Sequence, residues 1–183
     1  PDVMRGEEIQ IFGSIAPGES ATLILPGTHS KWARVEAGRL VAYRTFMTGE
    51  MFAVLKGHSI LGRLMPAAQV TVPEAFAAGV RQAGAETSAG LLNDVFTTRS
   101  GALLAAFPPD EIADRLSGLL IGHEILGGLK LGWPCDDLIL VGEEALCSRY
   151  AAALSVLGLK SRMGPKHATV AGFTRLGALG RVS

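Results

Sequence analysis

The chain predicts an α/β fold in which an antiparallel β-meander comes first and alternating helices and strands follow. Residues 22–46 hold three β-rich runs separated by tight turns. Residues 74–130 hold three stretches with the apolar period of helices. A continuous apolar run at 138–141 then passes through Gly142 into another helical stretch, the mark of a strand buried on both faces.

Element by element, residues 1–15 read as a loop leading into a short helix, with Ile9, Ile11, Phe12 and Ile15 as its apolar contributors. The stretch from Ala16 to Ser20 is a turn, and strands are expected at 22–26, 31–36 and 39–46. Thr48 opens a helix, where Thr48-Gly49-Glu50-Met51 resembles a slightly shifted capping box ahead of Phe52, Val54 and Leu55. Helices are expected at 74–83, 88–106 and 109–130, the last started by Asp110 or the prolines before it. On that last helix the small residues Ser117, Gly118 and Gly122 point to close helix packing. The helix after Gly142 runs to about Leu157 and ends at Gly158, a strand covers 159–163, and a helix covers 166–178. No repeat, low-complexity segment or linker interrupts the chain, so residues 1–183 are expected to form one domain.

Composition narrows the function. Hydrophobic residues make up 48% of the 183, which excludes disorder and supplies a core. Lys plus Arg and Asp plus Glu number 17 each, so no net charge draws the chain to nucleic acid or anionic lipid. No apolar run reaches the roughly 20 residues that span a bilayer, and no signal peptide opens the chain. Cys135 and Cys147 show neither CxxC nor zinc-ligand spacing, in keeping with ordinary thiols in a reducing cytoplasm. Residues 1–12 already read as the interior of an organised segment, so a longer natural chain is expected.

Three places could carry chemistry. In the turn Pro26-Gly27-Thr28-His29-Ser30-Lys31, glycine admits a close backbone approach, two hydroxyls add donors and Lys31 adds a point charge. Such a turn can cradle a phosphate, although a polar hairpin turn is the plainer alternative. A second strand-to-helix junction, Gly142-Glu143, offers backbone N–H groups at a sheet's carboxyl edge. The third is Asp2, Arg5, Glu7 and Glu8 ahead of the first helix: either helix-start carboxylates, or a general base with Arg5 clamping a substrate carboxylate. His58, His123 and His167 stand alone and read as packing or surface residues, and Arg99 is either solvated or reaching for an anion. A P-loop is absent, since Gly57-His58-Ser59-Ile60-Leu61-Gly62-Arg63 lacks the lysine and the preceding strand, and no GxGxxG follows a strand.

Five blocks in order, PDVMRGEEIQIFG, LPGTHSKW, TFMTGEMFAVLKGHSILG, LSGLLIGHE and LVGEEALCSRYAAAL, resemble the 2-dehydro-3-deoxygalactonokinases. These are sugar kinases of the actin, hexokinase and Hsp70 ATPase superfamily. The resemblance covers nearly the whole chain and corresponds to the family's C-terminal part. It implies a ribonuclease H-like, actin-like ATPase domain, with an N-terminal domain of the same kinase as its partner. It also implies transfer of the ATP γ-phosphate, with Mg²⁺, to the 6-hydroxyl of 2-dehydro-3-deoxy-D-galactonate. Gly27 and Thr28, extended by His29, Ser30 and Lys31, match the second phosphate motif, and Gly142 with Glu143 resembles the adenosine motif. Related sugar kinases place a catalytic Asp nearest Gly6, where this chain departs from the pattern. Asp2, reaching in from the loop, is the first candidate base and Glu7 the second, while Arg5 is the candidate for the sugar acid's carboxylate. On this reading residues 1–183 alone are expected to be inactive, nucleic acid and membrane are not partners, and self-association into a homodimer is left open.

Overall fold

A computed structural model describes residues 2–68 and 70–179; Pro1 and residues 180–183, which the expected domain includes, lie outside the described residues. The elements in chain order are α1 (Glu7–Ser14), β1 (Ala21–Leu25), β2 (Ser30–Glu36), β3 (Arg39–Phe46), α2 (Thr48–His58) and α3 (Pro73–Ala83). They continue as α4 (Leu91–Leu103), α5 (Ile112–Leu129), β4 (Leu138–Leu140), α6 (Glu144–Val156), β5 (Ser161–Met163) and α7 (Ala168–Leu179). The chain divides into two compact units: Pro1–Phe46, Gly132–Ala151 and Leu159–Ser183 in the first, Met47–Leu131 and Ala152–Gly158 in the second.

The first unit is built on a five-stranded mixed sheet in the order β3-β2-β1-β4-β5. β2 runs antiparallel to β1 and β3, and β4 runs parallel to β1 and β5. The three meander strands were expected to within one residue at each end, because their alternation and turns are local signals. Leu23, Ile24 and Leu25 of β1 and Leu138, Ile139 and Leu140 of β4 are all buried, as expected of central strands covered on both faces. Ile11 of α1 and Ile15, its C-cap, close over Leu23, Leu25, Ala33, Val35, Ile139 and Val141. Each of the buried Leu, Ile and Val side chains among them contributes about 2 kcal/mol on burial. From α7, the Arg175 guanidinium donates to the carbonyls of Phe12 and Ile15, satisfying the end of α1.

The second unit is helical. Pro73 starts α3, and a 3-10 turn at Pro109–Glu111 leads into α5. α3 and α5 cross where neither has a side chain. A Cβ on Gly118 would fall 2.0 Å from the Phe76 carbonyl oxygen, and one on Gly79 would fall 2.1 Å from that of Arg115. This is the close packing expected from Gly118 and Gly122. Leu61, Leu116 and Leu120 form a second core with Phe52, Leu55, Leu91 and Val95 against it.

Two expectations change. Thr48 makes no capping box: Met47 is the N-cap, without a side-chain bond, and its carbonyl accepts from the Met51 N–H at 2.8 Å. The helix expected at 88–106 is trimmed to Leu91–Leu103, because residues 88–90 serve as its lead-in instead. There the Ser88 hydroxyl takes the Gly90 N–H at 3.2 Å and itself donates to Asp94. Among the described residues no helix is long and apolar enough to cross a membrane.

Candidate functional site

β1 and β4 lie side by side and parallel, with Leu23 opposite Ile139, Ile24 opposite Leu140, and the Val141 N–H bonded to the Ile24 carbonyl at 3.0 Å. After β1 the chain turns to β2 on one side; after β4 it passes through α6 to β5 on the other. This is the place in a sheet where a ligand finds a crevice between diverging loops. Both candidate turns therefore leave the sheet at one point. A Cβ on Gly142 would stand 3.6 Å from the Pro26 carbonyl oxygen and 3.7 Å from the Cys147 sulfur, while one on Gly27 would meet nothing within 4 Å. Thr28 and His29 are exposed, and Ser30 is buried at the start of β2.

Glu143 is turned to its own helix. Its carboxylate accepts the Ala145 N–H at 3.0 Å and the Leu146 N–H at 2.9 Å, capping α6. The bond from Ala145, then that from Leu146, holds its carboxyl below the ordinary 4.5. Burial, with the Glu143 charge added, pushes the Cys147 thiol up. A protein carboxylate thus already occupies the positive end of α6, which disfavours a second anion there. That junction is left with room for an uncharged group, while the hairpin turn keeps an open side at Gly27 and an exposed hydroxyl at Thr28.

At the head of α1, Glu7 accepts the Arg5 N–H at 2.8 Å through Oε2, and Glu8 accepts the Gly6 N–H at 2.7 Å. Lys31 comes across from β2: its Nζ lies 3.4 Å from Glu7 Oε1 and donates to the His29 carbonyl at 3.0 Å. Only 4% of Lys31 is exposed. Burial alone would raise the Glu7 carboxyl, but the N–H groups of Glu7 and Arg5 and the Lys31 charge outweigh it and hold it below 4.5. Arg5, Glu7, His29 and Lys31, together with Val3 and Met4, line a hollow of about 490 Å³.

Asp2 lines a different hollow, of about 370 Å³, with Tyr43 and Arg44 of β3. Thr45 holds it twice, N–H to Oδ2 at 2.8 Å and hydroxyl to Oδ1 at 2.5 Å, and the Val3 N–H adds a bond at 2.9 Å. The Tyr43 hydroxyl donates to the Asp2 carbonyl at 2.8 Å. Burial raises the Asp2 carboxyl, yet the Thr45 and Val3 bonds and the Lys31 charge prevail and leave it below the ordinary 3.8.

Sequence reasoning passed over Thr45 and Tyr43, whose part depends on strand pairing: Thr45 faces Lys31 across the ladder. It also read His123 as isolated. In the second unit His123 Nε2 lies 2.8 Å from Oδ2 of the buried Asp94, which also accepts the Ser88 hydroxyl, so α4, α5 and the preceding turn share one carboxylate. The carboxylate accepts from Nε2 and so fixes the ring's tautomer. Arg99 donates to the Ile60 carbonyl at 3.1 Å rather than standing solvated. Among the described residues no three His, Cys, Asp or Glu converge as metal ligands.

The chain is 35% identical over 157 residues to 2-dehydro-3-deoxygalactonokinase of Escherichia coli, covering 86% of this chain and 53% of that one. It is 39% identical over 166 residues to a Rhizobium meliloti protein assigned as 2-dehydro-3-deoxygalactonokinase DgoK1, covering 88% and 54%. A Sinorhizobium meliloti crystal structure assigned to the same enzyme superposes with TM-score 0.86 at 37% identity, over 96% of this chain and 60% of that one. More remotely, the activator of a 2-hydroxyisocaproyl-CoA dehydratase from Clostridium difficile, solved with ADPNP, shares the fold at TM-score 0.54 and 18% identity, over 92% and 63%. The chain thus spans about half the length of the curated relatives it matches. The family model for 2-keto-3-deoxy-galactonokinase matches residues 1–176, and with these relatives it shows that the chain belongs to the 2-keto-3-deoxy-galactonokinase family.

Proposed function

We propose that this chain is the nucleotide-binding, C-terminal ATPase-type part of a sugar-acid kinase that phosphorylates the 6-hydroxyl of 2-dehydro-3-deoxy-D-galactonate in galactonate breakdown. The observation that carries the proposal is the meeting of the Gly27 and Gly142 turns at the ends of adjacent parallel strands. The finer fold assignment, ribonuclease H-like and actin-like, is supported by the strand order β3-β2-β1-β4-β5 and by the likeness to the ADPNP-bound activator.

In this reading the adenosine rests against Gly142 and the capped start of α6, and the phosphates meet the turn at Gly27, Thr28, His29 and Ser30. An open side at Gly27 and the exposed Thr28 hydroxyl fit a phosphoryl group that must come close to backbone. Mg²⁺ fits as an ion brought by the nucleotide, since phosphate oxygens and water supply most of its ligands and no protein cage is required. It would neutralise charge on the phosphates.

Of the two carboxylates, Glu7 is the better placed to accept the sugar hydroxyl's proton, because it faces the hollow it shares with Arg5, while Asp2 lines a separate one with Tyr43 and Arg44. A carboxylate kept ionised suits phosphoryl transfer, which asks for positioning more than for strong basicity. Arg5, exposed at the rim, would take the acid's carboxylate. The test has two parts. Titration of this chain with an ATP analogue, followed by amide NMR, should move the signals of residues 27–30 and 142–143; movement elsewhere alone overturns the nucleotide assignment. In the full-length natural protein, Glu7→Gln should abolish sugar-acid phosphorylation, and Arg5→Gln should raise KM for the acid without helping neutral sugars. Full activity of Glu7→Gln removes the assignment of the base.

A further inference from the structure

Resting on the kinase reading above, we infer that Lys31 is a positioning residue: its buried ammonium ties the carbonyl of His29, in the phosphate turn, to the carboxylate of Glu7, so that turn and acid are held as one piece. In the sequence Lys31 reads as a point charge for the phosphates themselves. The structure gives it other work. Lysine is almost never buried unless paired, and Lys31, at 4% exposure, has its Nζ 3.0 Å from the His29 oxygen and 3.4 Å from Glu7 Oε1. Such an ammonium is spent on the protein, whereas Thr28 stands exposed at the same turn.

The ladder explains why this position can do it. Lys31 sits between Leu25 on β1 and Thr45 on β3, in the middle strand of the meander. Its backbone is therefore fixed on both sides, and its long side chain is the adjustable part. Thr45 in turn anchors Asp2, so the segment that delivers Arg5 and Glu7 is fastened to the same row of the sheet. In-line transfer needs the acceptor oxygen and the phosphorus aligned to a fraction of an ångström, and misplacement by about 1 Å costs about a hundredfold in rate. A single cation bridging both ends of the reaction line is an economical way to keep that alignment.

The titratable and charged groups on the hollow with Glu7 are Lys31, from β2, Arg5 and His29; Asp2 lies within electrostatic reach of Lys31, and Glu8 is occupied by the Gly6 N–H. The test compares Lys31→Met with Lys31→Arg in this chain. With Glu and Asp side-chain carboxyls labelled, Lys31→Met should shift the Glu7 titration upward and change the Asp2 titration less. It should weaken binding of an ATP analogue about tenfold, the scale of one charged hydrogen bond. Lys31→Arg should restore most of both, because a cation of similar reach is returned. A folded Lys31→Met in which Glu7 titrates as before overturns the inference. So does loss of analogue binding with Glu7 unchanged, the signature of a direct phosphate ligand.

If Lys31→Met does not fold, Glu7→Gln serves instead. It should shift the amide signals of residues 28–30 without nucleotide, and unshifted signals overturn the proposal. Failure of the kinase reading itself is seen separately: the unmodified chain would then bind the analogue away from the turn, while the Glu7 titrations would still decide the role of Lys31.

Discussion

The carbonyl oxygen of Pro26 lies 3.6 Å from the point where a Cβ on residue 142 would stand, and Gly142 holds φ at +147°. The methyl of Gly142→Ala therefore fits in space and is opposed by the backbone. We expect a loss of about 1–2 kcal/mol in thermal unfolding from that strain. Gly27 is the opposite case: no positive φ and nothing within 4 Å. Gly27→Ala should leave stability within about 0.5 kcal/mol yet reduce ATP-analogue affinity measured by calorimetry. Equal loss of stability at both positions would contradict the distinction drawn between them.

Asp2 and Glu7 both titrate below their ordinary values of 3.8 and 4.5 in the folded chain. As pH falls, the unfolded chain therefore takes up protons first. The stabilisation is fully present above the ordinary values and is lost as pH drops through the folded ones. Denaturant midpoints should be level near neutrality and fall on acidification below about pH 5. Thr45→Val, which removes the hydroxyl donor to Asp2 but keeps the N–H, should cost about 1 kcal/mol at neutral pH. It should also flatten the acid limb. An acid limb unchanged by Thr45→Val would mean that Asp2 owes little to Thr45.

These two cases mark how far the sequence could be read. Gly142 was legible because its signal is local: an apolar run meeting a glycine before a helix. The elements themselves were legible for the same reason, β1 to β3 from alternation and turns, α5 from its period. Asp2 and Thr45 are 43 residues apart, and their bond depends on β3 being the outer strand in one particular register, which no local pattern states. For Lys31, residue type and turn position suggest a point charge, while its burial and its pairing to Glu7 depend on a residue 24 positions earlier that no local pattern names. The same blindness to distant partners hid the bond of His123 to Asp94, 29 residues away.

That second pair makes its own prediction. Asp94 is buried and serves as the acceptor for both Ser88 and His123. Asp94→Ala leaves a half-buried hydroxyl and imidazole N–H without that acceptor. We expect about 2–3 kcal/mol of destabilisation in urea unfolding. Asp94→Asn keeps one acceptor and should cost about half as much. His123→Ala with Asp94 intact should be milder than Asp94→Ala, since Ser88 still satisfies the carboxylate. If all three variants match ordinary surface substitutions, the network does not hold the second unit together.

The crossing of α3 and α5 gives the sharpest structural prediction, because the obstacle is backbone and cannot swing aside. A Cβ on Gly118 would come within 2.0 Å of the Phe76 oxygen, so Gly118→Ala must push the helices apart. Opening the crossing would loosen the neighbouring contacts of Leu116 and Leu120 in the second core. Alanine gains roughly 1 kcal/mol of helix propensity over glycine, a gain that the clash must exceed for the contact to matter. We expect a net loss of about 2–4 kcal/mol. Gly57→Ala, in α2, where a Cβ would meet nothing within 4 Å, should instead be neutral or stabilising. Should Gly118→Ala raise the unfolding temperature as Gly57→Ala does, helix propensity would be the only term at work and the close crossing would carry no energetic weight.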